Sequence, residues 1–345
     1  MKYLGILLTY ILCLFTACDV HEWPTVPEEP PVTPDNPTPE PEPEPEKPVL
    51  CIKLDFQTDI DQKEISYDSR ATGSTTGYDM RYTLRAFAVD SENRSVSRTA
   101  AWEYTFTRSV SLYDYDCEVK VDFPEGEYNL MVWADFVKAG TTGHHFYNPD
   151  TFAEITLHGA HQANNDFKDT FRGIESMQYV KKEGETVQVV KMLRPLAKFE
   201  FVTTDLKEFI NKETAKQRSS KVDLSNYRLT FYYNGYMPCA FNMFTDKPND
   251  SKTGVSFEST LTQLNDSEAS MGFDYVLVNG TESSVPMVIA LKDKKGNTLS
   301  VSNPIDVPLK RGQHTVVKGK FLSTKTSGGV GIDPDFNGDY NYKVN

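Results

Sequence analysis

Apolar residues recur at every second position through most of the chain after residue 48, and this alternation restricts the fold more than any other feature. In "MRYTLRAFAV", Met80, Tyr82, Leu84, Ala86 and Ala88 share one face. "AWEYTF" alternates Trp102, Tyr104 and Phe106, and "CEVKVDF" alternates Cys117, Val119, Val121 and Phe123. After the turn in "PEGEY", "YNLMVWAD" puts Tyr128, Leu130, Val132 and Ala134 on one side. "DYVLVNG", "VPMVIALKDKKGNTLSVS" and "HTVVKGKFLS" continue the pattern, the second as a hairpin turning at Lys294 to Asn297. A period of two marks strands with one face on a core. Many short strands with turns between them predict antiparallel sandwiches, and the lack of strand–helix–strand alternation disfavours parallel sheets. One segment, "TTDLKEFINKETAKQ", predicts a helix. Asp205 with Glu208 three residues on reads as a capping box, and Leu206, Phe209 and Ile210 form its apolar stripe. Pro195 in "KMLRPLAKFEF" interrupts a strand-like run and marks a boundary. The reading is an all-β chain with two β-sandwiches, residues 49–193 and 194–325, a short helix in the second and a polar tail, 326–345.

The N-terminus is of another kind. Lys2 precedes an apolar run from Tyr3 to Phe15, too short for a bilayer span of roughly 20 residues and suited to a signal peptide. The small residues Thr16 and Ala17 then lead to Cys18, the pattern of a lipobox, with residues 1–17 removed and Cys18 lipidated. Residues 18–48 form a tether. Asp19 to Pro48 holds 11 of the 20 prolines and nine acidic residues against the single Lys47. Proline removes backbone donors and the carboxylates repel one another, so this stretch cannot bury a core. In polyproline II, thirty residues reach about 90 Å. The tether carries −8 of the −13 formal charge. What remains is too weakly charged to suggest a nucleic-acid partner.

Little in the folded part reads as chemistry. Cys51, Cys117 and Cys239 are odd in number and lack metal-type spacing, so they are expected as buried strand residues. "DPDFNGD" places Asp333, Asp335, Asn337 and Gly338 like the start of an EF-hand loop. Its twelfth position is Val344, where calcium needs a bidentate glutamate, so a polar turn is expected instead. His144, His145, His158 and His161 cluster in sequence. Neighbours on a strand point to opposite faces, and these are expected as solvent-facing loop histidines, with no metal and no cofactor. No hydrolase, zincin, Walker or dinucleotide motif occurs, and the chain is read as a non-enzyme. Trp102 and Trp133 read as core or cross-strand residues. Tyr113, Tyr115, Tyr232, Tyr233 and Tyr236 are the candidates for aromatic faces turned to a ligand.

The lipobox with "CDVHEWP", then "FPEGEYNLMVWADFV", "LRPLAKFEFVTTDL" and "GGVGIDPDFNGDYN", resembles the fimbrillin-like lipoproteins of the Bacteroidota, the type V pilus subunits, anchors and accessory proteins. The similarity runs over most of the chain. It implies two tandem transthyretin-like antiparallel β-sandwich domains. It also implies export to the outer membrane as a lipid-anchored, surface-facing protein. Polymerising members are cut by a trypsin-like protease after an arginine following the first strand, and Arg70 in "SYDSRATGSTTGYD" stands in such a polar loop. Anchor-type members stay uncut, and the long tether favours that form here. The function expected is that of a pilus component or adhesin acting through protein–protein binding, with pilus subunits or surface ligands as partners. The alternative is a glycan-binding lipoprotein of a nutrient-uptake system.

Metabolic labelling with an alkyne fatty acid is expected to mark the protein in cells, and a Cys18→Ala variant is expected to lose the label. Label retained in that variant refutes lipidation at Cys18.

Overall fold

The computed structural model describes residues 47–58, 77–111, 114–217, 221–322, 330–331 and 340–344. Arg70, Tyr113, Cys18 and the residues expected to form a polar turn, Asp333 to Gly338, lie outside them. The first half runs β1 (Val49–Phe56), β2 (Tyr78–Ala88), β3 (Trp102–Arg108), β4 (Cys117–Val121), β5 (Gly126–Lys138), β6 (Tyr147–Asn148), β7 (Ile155–Leu157), β8 (Thr170–Tyr179) and β9 (Glu185–Met192). The second half begins with β10 (Leu196–Thr203), the helix α1 (Leu206–Gln217), β11 (Arg228–Tyr233), β12 (Met237–Asn242), β13 (Lys247–Lys252) and β14 (Ser256–Ser259). It continues with β15 (Thr262–Gln263), β16 (Ala269–Leu277), β17 (Glu282–Lys292), β18 (Thr298–Val301), β19 (Ile305–Lys310) and β20 (His314–Gly319). Two further segments, β21 (Val330–Gly331) and β22 (Tyr340–Val344), complete it.

Both halves use one seven-strand plan. In the first, β1 sits between antiparallel β4 and parallel β9, facing a second sheet ordered β3-β2-β5-β8. In the second, β10 sits between antiparallel β16 and parallel β20, and the facing sheet pairs β14, β11, β17 and β19 in that order. The fold is all-β with one α-helix among the described residues, as the alternation indicates. The sheets holding β1 and β10 are mixed, where antiparallel pairing was expected. Besides β20–β22, each parallel pair joins the first strand of a sandwich to the last of its seven, after the chain has passed through the opposite sheet. No strand–helix–strand unit is needed for that. The helix keeps its predicted stripe, with Leu206 and Phe209 buried on the second core. Asp205 accepts the Leu322 backbone N–H, and Glu208 pairs with Lys320, so the helix start is tied to the chain beyond β20.

The two sandwiches are joined by their insertions. β6–β7 is inserted between β5 and β8, and β12–β13 between β11 and β14. β7 pairs with β12 to form one sheet ordered β13-β12-β7-β6. That sheet brings Phe241 to 6.0 Å from the Trp133 ring, and Phe244 to 4.8 Å from Phe87. Strands β2 and β5 are therefore buried on both faces. Trp133 is wholly buried on the face opposite Leu84, together with the Arg81–Asp135 pair.

Charges close the rest of the junction. Asp274, on β16 of the second sandwich, has no exposed surface. It accepts from Lys168 Nζ at 2.6 Å, from the Tyr233 hydroxyl at 2.7 Å and from its neighbour's backbone N–H at 2.8 Å, and its Oδ2 lies 2.8 Å from His161 Nε2. Asp246, in the β12–β13 turn, takes a two-pronged bond from Arg172 of β8 and another from Arg311 beside β20. Arg194, at the boundary, pairs with buried Asp169. Burial pushes the Asp274 carboxyl up, but Lys168 and His161 outweigh it and hold it below its ordinary value. A carboxylate held low in the folded state stabilises above its unfolded value of about 4 and loses that contribution as pH falls through the lower folded one. Asp274→Asn is expected to cost about 3–5 kcal/mol at pH 7, because Lys168 is left buried and unpaired. It is also expected to flatten the loss of stability below about pH 4. Urea unfolding at both pH values tests this. A cost within about 0.5 kcal/mol, the size of an ordinary surface change, contradicts the role given to Asp274.

Candidate functional site

Strand β1 is the first strand among the described residues. Leu50, Ile52, Leu54 and Phe56 alternate inward and are buried. Phe56 packs edge-on against Phe171, Tyr115 and Tyr82 at 5.0, 5.8 and 6.1 Å. The outward face carries ion pairs, Lys53–Glu118 and Lys120–Glu185, which cover Cys51. The strand is gripped on both sides, by five residue pairs to β4 and eight to β9. Its ends are tied as well: Val49 N–H donates to Gly184 O, and Phe56 N–H to the Asp116 carboxylate. Beyond it β9 has no further strand partner among the described residues, and Val187 and Val189 there are 49% and 46% exposed. Removing β1 would open two strand edges above an apolar floor, a geometry suited to receiving another strand.

The aromatic candidates separate. Tyr232 and Tyr236 are exposed, at 39% and 73%. Tyr115 and Tyr233 are buried, which corrects the expectation that they face a ligand. Tyr115 fills the first core and its carbonyl accepts from the Tyr82 hydroxyl, while Tyr233 points inward on β11 to Asp274. Trp133 is a core residue, and half-buried Trp102 lies on β3 packed against the core, in line with the expectation for both. The three cysteines are free and buried.

Three of the four histidines depart from a solvent-facing reading, while His158 is exposed as expected. His145 packs between Tyr78 and Phe146, and burial, with Lys138 and His158 nearby, lowers its pKa. His144 lies 3.0 Å from Arg81 Nη1 and 3.1 Å from Asp150. His161 belongs to the Asp274 cluster. His158 and His161 line a cavity of about 100 Å³ with Lys168, Lys252 and Met237. No three metal-ligating side chains come together among the described residues. No described helix is long and apolar enough to cross a membrane. The residues that sequence reasoning missed are the buried charges, Arg81, Asp135, Lys168, Asp169, Arg194 and Asp274. Their available signal was a charge within an apolar alternation, as in "MRYTLRAF" and "MVWADFV".

A family model described as a family of unknown function (DUF6562) matches residues 46–345. No curated protein matches. Among solved structures, a candidate cell adhesion protein from Bacteroides ovatus is similar at 13% identity and TM-score 0.43, covering 79% of this chain and 92% of that one. A candidate polysaccharide-binding protein from Bacteroides thetaiotaomicron has 13% identity and TM-score 0.42, covering 74% and 80%. The fimbrial anchor protein Mfa2 from Porphyromonas gingivalis has 12% identity and TM-score 0.37, covering 73% and 81%.

Each of the four inward side chains of β1 contributes about 1.5–3 kcal/mol by burial, together comparable to a whole domain's net stability of about 5–15 kcal/mol. A chain beginning at Ala71 is therefore expected to lose cooperative unfolding of the first sandwich, and a peptide spanning Val49–Phe56 is expected to restore it. Hydrogen exchange resolved by segment reads both. Full protection of β2, β5 and β9 without the peptide contradicts the prediction.

Proposed function

Since the chain belongs to the DUF6562 family, whose function is unknown, we propose from its own features that it is a fimbrillin-like surface lipoprotein. It is held to the outer membrane through Cys18 and acts as an adhesin or pilus component by binding other proteins. The observation that carries this reading is the seat of β1. The tether ends at Pro48 and the sheet begins at Val49, so tension on the tether acts directly on β1. A strand at a sheet edge peels away one hydrogen bond at a time. A central strand pulled along its axis loads its bonds to both neighbours together. The paired length of β1 on β4 and β9 suits a protein that bears force while attached. The length and charge of the tether support the same role, because an extended acidic stalk displays a domain away from a membrane. Exposed Tyr232 and Tyr236 lie on the second sandwich, which follows the first in sequence from the tether, and are suited to contacting a partner.

In this reading Arg70 stays intact and the lipid remains. Mass spectrometry of the protein isolated from the cell surface is expected to find a mature N-terminus at lipidated Cys18. A mature N-terminus at Ala71 overturns the anchored form and supports a polymerising subunit in which β1 is replaced by a strand from another chain.

A further inference from the structure

Three backbone irregularities converge on one groove of the second sandwich. The ladder between β10 and β16 shifts register between Phe201 and Val202, which pair with Gly272 and Ser270 and leave Met271 between them. Gly272 follows with φ +144°, and a Cβ there would come within 2.8 Å of Ser259 Oγ and 3.0 Å of Asn164 Oδ1. Asn164 itself, in the segment linking β7 to β8, has φ 55°. It is pinned there by three bonds: its N–H donates to Phe273 O at 2.9 Å, its Oδ1 accepts the Phe273 N–H at 2.8 Å, and its Nδ2 donates to Glu258 O at 3.3 Å. Bulges and left-handed non-glycine residues cost conformational energy and concentrate where a surface is shaped for contact.

These residues border a groove of about 580 Å³ between β14 and β16, within the usual range for small-ligand sites. Its chemistry is even in charge and dense in hydroxyls. Arg228 supplies a guanidinium and Glu258 a carboxylate, and neither charged group has a side-chain partner among the described residues. Ser259, Ser270 and two threonines add hydroxyls, and Phe273 adds one half-buried ring. The Ser270 hydroxyl donates to Glu200 at 2.6 Å, which leaves its oxygen free to accept. Anions find one cation set against a carboxylate, and metal ions find one carboxylate. Peptide side chains find no deep apolar pocket. Donors and acceptors set close together on rigid strands fit a ligand whose every group both donates and accepts.

We propose that this groove binds a neutral saccharide of one or two rings, with Arg228 and Glu258 bonding its hydroxyls and Asn164 and Gly272 shaping the floor. The proposal goes beyond the adhesion reading, which is one of protein binding, by adding a saccharide ligand, and the groove can be tested alone.

The test uses the whole chain in detergent and a panel of neutral disaccharides built from glucose, galactose, mannose and N-acetylglucosamine. Binding is read by ligand-observed NMR and titration, alongside attachment of whole cells. At least one sugar is expected to bind with a Kd of about 1 mM or tighter. Arg228→Ala and Glu258→Gln are each expected to weaken it roughly tenfold, the effect of losing a hydrogen bond to a charged group. Both side chains are exposed, so the variants are expected to unfold like the parent. Absence of binding by every panel member overturns the proposal, as does binding that both variants leave unchanged. Cell attachment by the parent protein with no sugar binding at all refutes the groove and keeps the adhesion reading. Sugar binding without any attachment keeps the groove and refutes that reading.

Discussion

The arrangement of the two sandwiches depends on a carboxylate that water cannot reach. Asp274 leaves the second sandwich and meets Lys168 and His161 from the segment that closes the first. An apolar contact of similar area would tolerate sliding, since burial has no direction. A buried ion pair does not, because a small displacement leaves a charge unpaired at a cost of several kcal/mol. Arg172 and Arg311 meeting on Asp246, and Arg194 on Asp169, repeat the device nearby. The seam also sets the saccharide groove. Asn164 stands between His161 and Lys168 in sequence, so the ions that fix this segment fix the groove wall.

Strand positions, the hairpin at Lys294 to Asn297, the helix stripe and the break at Pro195 were legible because each is a local pattern. The common plan of the two halves was not. Equivalent strands differ in length, and the insertions fall at different points, after β5 in one half and after β11 in the other. The parallel pairs β1–β9 and β10–β20 escape local reading because their partners lie far apart in sequence. Alternation reports one buried face and cannot show that the other is buried too. Arg81 and Asp135 therefore looked like solvent-side residues of β2 and β5 until the β7–β12 sheet covered them.

The tyrosines show where the same rule reaches and where it stops. In "FYYNGY", Phe231 and Tyr233 share the inward face of β11, and Tyr232 points outward. Strict use of the period separates the two tyrosines. Tyr115 precedes β4 in irregular chain, where no period exists, and its burial follows only from the pocket between Phe56, Phe136 and Phe171. His161 was equally illegible, since its place is set by a carboxylate 113 residues away.

The duplication also confines any exchange of strands to one half. β1 and β10 hold the same central place, yet their outgoing connections differ. After β10 the chain forms α1, whose Leu206 and Phe209 close over the second core, while Asp205 and Glu208 hold the chain beyond β20. Before β10 it is fastened by Arg194 to Asp169. Cutting that connection would leave the strand held by its neighbours, the helix and the seam. β1 is joined to the rest of its sandwich through residues 59–76, the stretch that carries Arg70. In the reading proposed above, a cut at Arg70 would separate this strand from its sandwich, and the first sandwich would then need a replacement strand. In the second sandwich the equivalent strand has no such freedom, because the ties of α1, Arg194 and Asp274 hold its connections on both sides.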